Sequence, residues 1–188
     1  AKHGQLFNMP IVLNGTSGDI SASSLTGITT GKILQVVSTT KTDTSSFTSN
    51  STNNFVDLSG LSVSITPTAA SSKILIQFDV SVAVGTGTVH VRLVRDSTPI
   101  AIGDAAGSRL QGTVSRRTAS SIYSLECTHM SMSFLDSPNT TSATTYKLQG
   151  TAGSSYNTTY YVNRSSGDND ADYGARVAST ITATEVAV

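Results

Sequence analysis

The chain has no tryptophan, a single cysteine and four prolines, and only 13% of its 188 residues are charged. Each scarcity excludes something. With Cys127 alone, no intrachain disulfide forms and a zinc cage of cysteines is ruled out. Twelve cationic and twelve acidic side chains cancel to a net charge of zero. General nucleic-acid binding needs several phosphate-neutralising cations, and Arg109, Arg116 and Arg117 are too thin a concentration to supply them. No window approaches the ~20 apolar residues of a membrane-spanning helix. The stretch Ala1 to Phe7 lacks the apolar run of a secretory signal. The reading is a soluble chain made in a reducing compartment, with no nucleic-acid partner and no membrane insertion.

What the chain has is hydroxyls and alternation. Serine and threonine supply about a third of it, a composition that favours strands and turns over helices. From Ile74 to Val84 every second residue is large and apolar: Ile74, Ile76, Phe78, Val80, Val82, Val84. Strand side chains point alternately to opposite faces, so this segment buries one face and wets most of the other. Full burial of each such side chain is worth roughly 1.5–3 kcal/mol. No segment shows comparable helical periodicity. The fold class is therefore all-β, with one body and, by length, no second large domain.

The body, residues 31–188, breaks into eight candidate strands: 32–38, 61–66, 73–84, 89–95, 121–135, 144–151, 157–163 and 178–187. Between them lie turn-rich segments, notably 39–54 and 96–120, and Gly85-Thr86-Gly87-Thr88 suits a tight hairpin between the third and fourth strands. Eight strands with long connections fit an antiparallel β-sandwich of jelly-roll type, with a closed barrel as the rival. Residues 1–30 differ. Leu6, Phe7, Met9, Ile11, Val12 and Leu13 surround Pro10 and precede a Ser/Thr/Gly run. This is an extended N-terminal arm that either docks on a partner or pairs along a neighbouring chain, the alternative being a frayed tail.

The strand 121–135 is apolar on both faces, with Ile122, Met130, Met132 and Phe134 on one and Tyr123, Leu125, Cys127 and Leu135 on the other. A two-layer sandwich has nothing of its own to cover an outer face. Tyr123, Leu125, Cys127 and Leu135 are thus candidates for a subunit interface, with the loop 96–120 or the arm as alternative covers.

Candidates for chemistry are few. The sequence holds no nucleophile elbow, His-Glu-x-x-His or phosphate loop, and Glu126 and Glu185 are its only glutamates. Asp168, Asp170 and Asp172 alternate as in the opening of a calcium loop. However, glycine falls at the seventh position instead of the sixth, and Ser179 stands where a bidentate glutamate belongs. They are weak metal candidates beside the reading of a solvated loop tip, and no cofactor is expected. Tyr156, Tyr160 and Tyr173 form a candidate ligand-binding group, since tyrosine offers a large contact area with a polar tip. Packing at a sheet edge is the alternative.

Several phrases in order carry a resemblance: Gly31-Lys32-Ile33-Leu34-Gln35-Val36-Val37-Ser38, Ser71-Ser72-Lys73-Ile74-Leu75-Ile76, Val91-Arg92-Leu93-Val94-Arg95-Asp96, Ser133-Phe134-Leu135-Asp136-Ser137-Pro138 with Thr144-Thr145-Tyr146-Lys147-Leu148, and Ser179-Thr180-Ile181-Thr182-Ala183-Thr184-Glu185-Val186. The series resembles a structural β-sandwich domain of tailed-bacteriophage virion proteins, from marine and cyanobacterial phages, of head-decoration or fibre type. It spans residues 31–188. The resemblance implies a non-enzymatic homotrimer on the virion exterior, made in the host cytoplasm. It transfers no catalytic residue. If Ala1 follows a removed methionine, the chain is too short to carry a fibre shaft. That favours a decoration, cement or head-fibre protein whose arm binds the major capsid protein or other virion proteins. A receptor-binding fibre tip, contacting host surface glycans, is the second reading, and a glycan-degrading enzyme the third.

Overall fold

The computed structural model describes residues 32–49, 53–118, 126–153, 158–172 and 174–188. All of them belong to the unit Gly31–Val188. The arm residues Leu6, Phe7, Met9, Ile11, Val12 and Leu13 therefore lie outside the described residues, as do Tyr123, Leu125, Tyr156 and Tyr173.

Among the described residues there are eleven strands and no helix. They are β1 (Ile33–Lys41), β2 (Ser45–Ser49), β3 (Val56–Ile65), β4 (Lys73–Ala83), β5 (Gly87–Arg95), β6 (Thr98–Ile100), β7 (Val114–Thr118), β8 (Thr128–Asp136), β9 (Thr144–Ala152), β10 (Thr158–Val162) and β11 (Ser179–Val186). All pair antiparallel. In the first sheet β1, β11, β4 and β8 lie side by side. The short strands β10 and β2 continue this sheet beyond β11, where β10 takes up the end of β4. In the second sheet the order is β3, β9, β5, with β6 and β7 both pairing β5.

Setting aside the short β2, β6 and β10, the eight remaining strands, renumbered in chain order, run 1-8-3-6 in one sheet and 2-7-4-5 in the other. This is the strand order of a jelly roll, two sheets joined by crossing connections, and no barrel is closed. Alternation decides what lies between the sheets. Ile74, Ile76, Phe78, Val80, Val82 and Val84 are all buried against Leu61, Val63, Ile65, Val89, Val91, Leu93 and Leu148 of the facing layer.

The expected hairpin at Gly85–Thr88 does not form. β4 and β5 belong to different sheets, so the short link 84–86 passes from one layer to the other. Both flanking strands bury their apolar face, and only a crossing lets both faces meet in one core. The segments 39–54 and 96–120, read as loops, hold β2, β6 and β7. The first is Ser45-Ser46-Phe47-Thr48-Ser49, an alternating strand with a single apolar anchor. Phe47 stacks on its cross-strand partner Tyr160, ring centroids 5.0 Å apart. Pairing and that one contact override a composition that looks like a loop.

Candidate functional site

Three places gather polar or exposed groups in a way that bears on function: the outer face of the first sheet, a histidine cluster at its upper end, and a groove over the second sheet.

The outer face is a set of cross-strand rows. Ser38, Thr182, Gln77 and Ser133 form one, tied by a Ser38–Thr182 hydroxyl bond of 2.8 Å. Thr40, Thr180, Asp79 and Ser131 form the next. The row on the other side is largely apolar: Val36, Leu75 and Leu135 stand in register across the sheet with the buried Thr184 between Val36 and Leu75. Val36 is 58% exposed and Leu135 54%. Beside them, at the start of β1, Ile33 and Leu34 are also exposed. Most of the large apolar side chains left in water among the described residues are thus gathered at one end of one sheet.

Within β8 the two faces divide as their alternation requires. Met130 is buried and Met132 and Phe134 pack against the core, whereas Leu135 points outward. The described part of the long loop 96–120 lies over the second sheet, so it does not cover Leu135. Cys127 is partly buried, and that burial pushes its thiol pKa up, against a hydrogen bond from Ser81 and the charge of Arg116.

Asp79, Ser81 and His129 share the upper end of this face. His129 Nδ1 lies 2.6 Å from Asp79 Oδ1, and Ser81 Oγ lies 3.0 and 3.1 Å from the two ring nitrogens. The residue types are those of a hydrolytic triad, but the geometry differs. Equal distance from both nitrogens puts the hydroxyl over the ring instead of on the lone-pair axis of either, where a general base takes a proton. Ser81 is also fully buried. Its backbone N–H donates to Ser179 Oγ and its carbonyl accepts from Asn163 N–H. The cluster ties β4 to β8 and presents no reachable nucleophile.

The loop candidates resolve in the same structural direction. Both carboxylate oxygens of Asp168 face guanidinium groups, Arg176 at 2.6 Å and Arg164 at 3.4 Å. Arg164 in turn lies over the Tyr161 ring at 4.0 Å. Asp168 is thus committed to cations of the chain itself, and no cluster of three metal-ligating side chains occurs among the described residues. Asp170 and Asp172 are exposed and, among the described residues, have no such partners. Tyr160, read as a ligand-binding tyrosine, is a core residue. It is fully buried on Phe47, its hydroxyl donates to the Thr88 carbonyl at 3.0 Å, and burial pushes its pKa up to about 12. Its ring offers no face to a ligand.

The groove is the feature that sequence reading missed. It occupies about 810 Å³ over the outer face of β5, between the segment 101–112 and the residues Asn53 and Gly153. His90 and Arg92 form its floor, and Arg109 stands in its wall. Two residues apart on a strand, His90 and Arg92 share a face, a signal present in the sequence. The placement of Arg109 opposite them comes only from the fold of the loop.

No family model matches the chain, and no curated relative matches it. Among solved structures it is similar to the T13 particle of infectious bursal disease virus, at 12% identity and a TM-score of 0.40, over 89% of this chain and 42% of that one. It is also similar to the Gx strain of infectious bursal disease virus, at 14% identity and a TM-score of 0.37, over 80% of this chain and 37% of that one. The chain thus spans less than half the length of either viral chain.

Proposed function

We propose that this chain is a non-enzymatic structural protein of a bacteriophage particle. In this reading it is a homotrimeric decoration, cement or head-fibre protein, and residues 1–30 attach it to the major capsid protein or another virion component. The observation that carries this reading is the largely apolar row Val36–Thr184–Leu75–Leu135 on an otherwise hydroxyl-covered sheet. A rigid sandwich with one sticky end on one face is built to associate, and the resemblance of its strand phrases to those of phage virion proteins supports a phage particle as the assembly. Leu135 belongs to that contact, whereas Cys127 lies at the opposite end of β8, beside Ser81.

Light scattering on the purified protein tests the association: a particle near three times 19.5 kDa is expected, and a monomer at micromolar concentration overturns it. Removing residues 1–30 should leave a folded, associating body that no longer binds phage particles. Particle binding that persists removes the role of the arm.

A second reading, a receptor-binding tip contacting host surface glycans, is favoured by one observation, the cationic groove over the second sheet.

A further inference from the structure

We propose that the groove over β5 binds an acidic saccharide, held by its carboxylate between Arg92 and Arg109; this deepens the receptor reading and rests on it. Among the described residues no acid lines the groove, although it holds two guanidinium groups and an imidazole. On the same sheet, two strands from β5, Asp57 is already taken by Lys147 at 2.8 Å and Gln149 at 2.6 Å. Arg92 is held by its Nε, which donates to Gln149 Oε1 at 2.9 Å, and by its stacking on Phe55 at 3.8 Å. Among the described residues its two terminal nitrogens have no partner. A guanidinium fixed at one edge and open at the other is set up for a planar, two-oxygen acceptor.

The floor is shaped for contact at this spot. A Cβ at Gly153 would lie 2.6 Å from His90 Nε2 and 2.7 Å from Thr88 Cβ, so only glycine leaves room for the imidazole where it stands. Neither ring nitrogen of His90 is hydrogen-bonded among the described residues, and partial burial pulls its pKa down, favouring the neutral ring. A neutral imidazole both donates and accepts, as sugar hydroxyls do.

The wall is pinned. Gln111 Nε2 donates to the Gly103 carbonyl at 2.8 Å, Gly103 N–H to the Gly112 carbonyl, and Thr113 N–H to the Val91 carbonyl. Leu110, Ile102 and Pro99 add apolar surface for a pyranose C–H face, and Asn53 and Ser108 add polar groups at the rim. A volume of about 810 Å³ falls in the ~300–1,000 Å³ range of ligand pockets. A lone inorganic anion would leave most of it empty.

The test uses the full chain and calorimetric titration with four probes: trigalacturonic acid, its neutral methyl ester, sialyllactose and lactose. Binding of at least one acidic saccharide is expected, at least tenfold tighter than its neutral counterpart. Arg92→Gln and Arg109→Gln should each weaken that binding at least tenfold. Because Arg92 also packs on Phe55, the exposed Arg109 is the control that keeps its fold, checked by an unchanged melting curve and unchanged oligomer mass. Equal affinity for acid and neutral forms, no binding of either acid, or inorganic phosphate binding as tightly as the saccharide would each overturn the assignment. Adsorption to host cells that survives both substitutions would leave a receptor role standing elsewhere on the protein and still remove it from this groove.

Discussion

The hydroxyl of Tyr146, on β9 of one sheet, donates to the carboxylate of Asp136, at the end of β8 in the other, at 2.7 Å. Arg95 on β5 completes the set, its Nη1 lying 2.9 Å from both Asp136 oxygens. Tyr146 is fully buried and Asp136 nearly so. Burial, then the hydrogen bond and charge of Asp136, push the phenol pKa well above its ordinary value, so it stays a donor at every physiological pH. The three side chains close one end of the sandwich and join its layers.

Tyr146→Phe removes that donor while keeping the ring. It leaves a buried carboxylate one partner short, which costs on the order of 1–3 kcal/mol. Urea unfolding should show a lower midpoint at unchanged slope, and an unchanged midpoint would contradict the role assigned to the bond.

Glu185 is a second buried acid with a complete shell. Burial raises its pKa, but bonds from Gln35, Ser72 and the Thr68 side chain and N–H outweigh this and bring it from 4.5 to about 2. A carboxylate with a depressed folded pKa stabilises fully above its unfolded value and loses that contribution as pH falls through the folded one. Stability should therefore decline between about pH 4.5 and 2. In Glu185→Gln that part of the decline should be missing, while neutral-pH stability drops by about 1–3 kcal/mol because the amide NH2 replaces one oxygen and faces a donor, Gln35 or Thr68. Parallel acid titrations of the two proteins would show the difference.

Asn163 knots three strands at the other end. It is fully buried, its amide donates to the Lys41 and Asp43 carbonyls at 2.8 and 3.0 Å, and its carbonyl oxygen accepts from Ser179 Oγ at 2.6 Å. Its φ of 64° lies in the left-handed region, where asparagine is among the few tolerated side chains. Asn163→Ala loses the bonds and keeps the strain, so a loss of about 2–4 kcal/mol is expected. Asn163→Gly, which relieves only the strain, should recover a part of it.

Leu135→Glu and Val36→Glu put charge into the exposed apolar row from its two edge strands. Since both side chains are more than half exposed, monomer stability should move by no more than about 0.5 kcal/mol. Self-association should weaken at least tenfold, read as a fall in light-scattering mass upon dilution. An unchanged mass in the double variant would mean that the copies meet elsewhere.

Much of the sandwich was legible because period-two alternation is a local property. Ile74 to Val84 states which face is buried whatever it packs against, and β4 has that face in the core. Leu135 was legible as a leftover for the same reason: an apolar residue on the wrong parity of a strand must be either wrong or used. The strands β2, β6 and β7 were hidden because each carries a single apolar residue, Phe47, Ile100 or Val114, among serine, threonine, arginine and proline. Their pairing rests on partners far away in the chain, such as Tyr160 for Phe47 and Val91 for Val114. Tyr160 misled because a tyrosine at a sheet edge and a tyrosine in a core look alike until its partner Phe47 is known.

The order of residues alone determined the class of structure: alternation, hydroxyl-rich composition and missing helical periodicity leave only sheets, and their parity marks the inner face. Tertiary structure decided which strands became neighbours, sent the Gly85–Thr86 link across the layers, and set Arg109 opposite Arg92. The reason is range. Alternation acts between residues two apart, whereas sheet order and the groove depend on contacts between residues far apart in the chain, which only the folded backbone brings together.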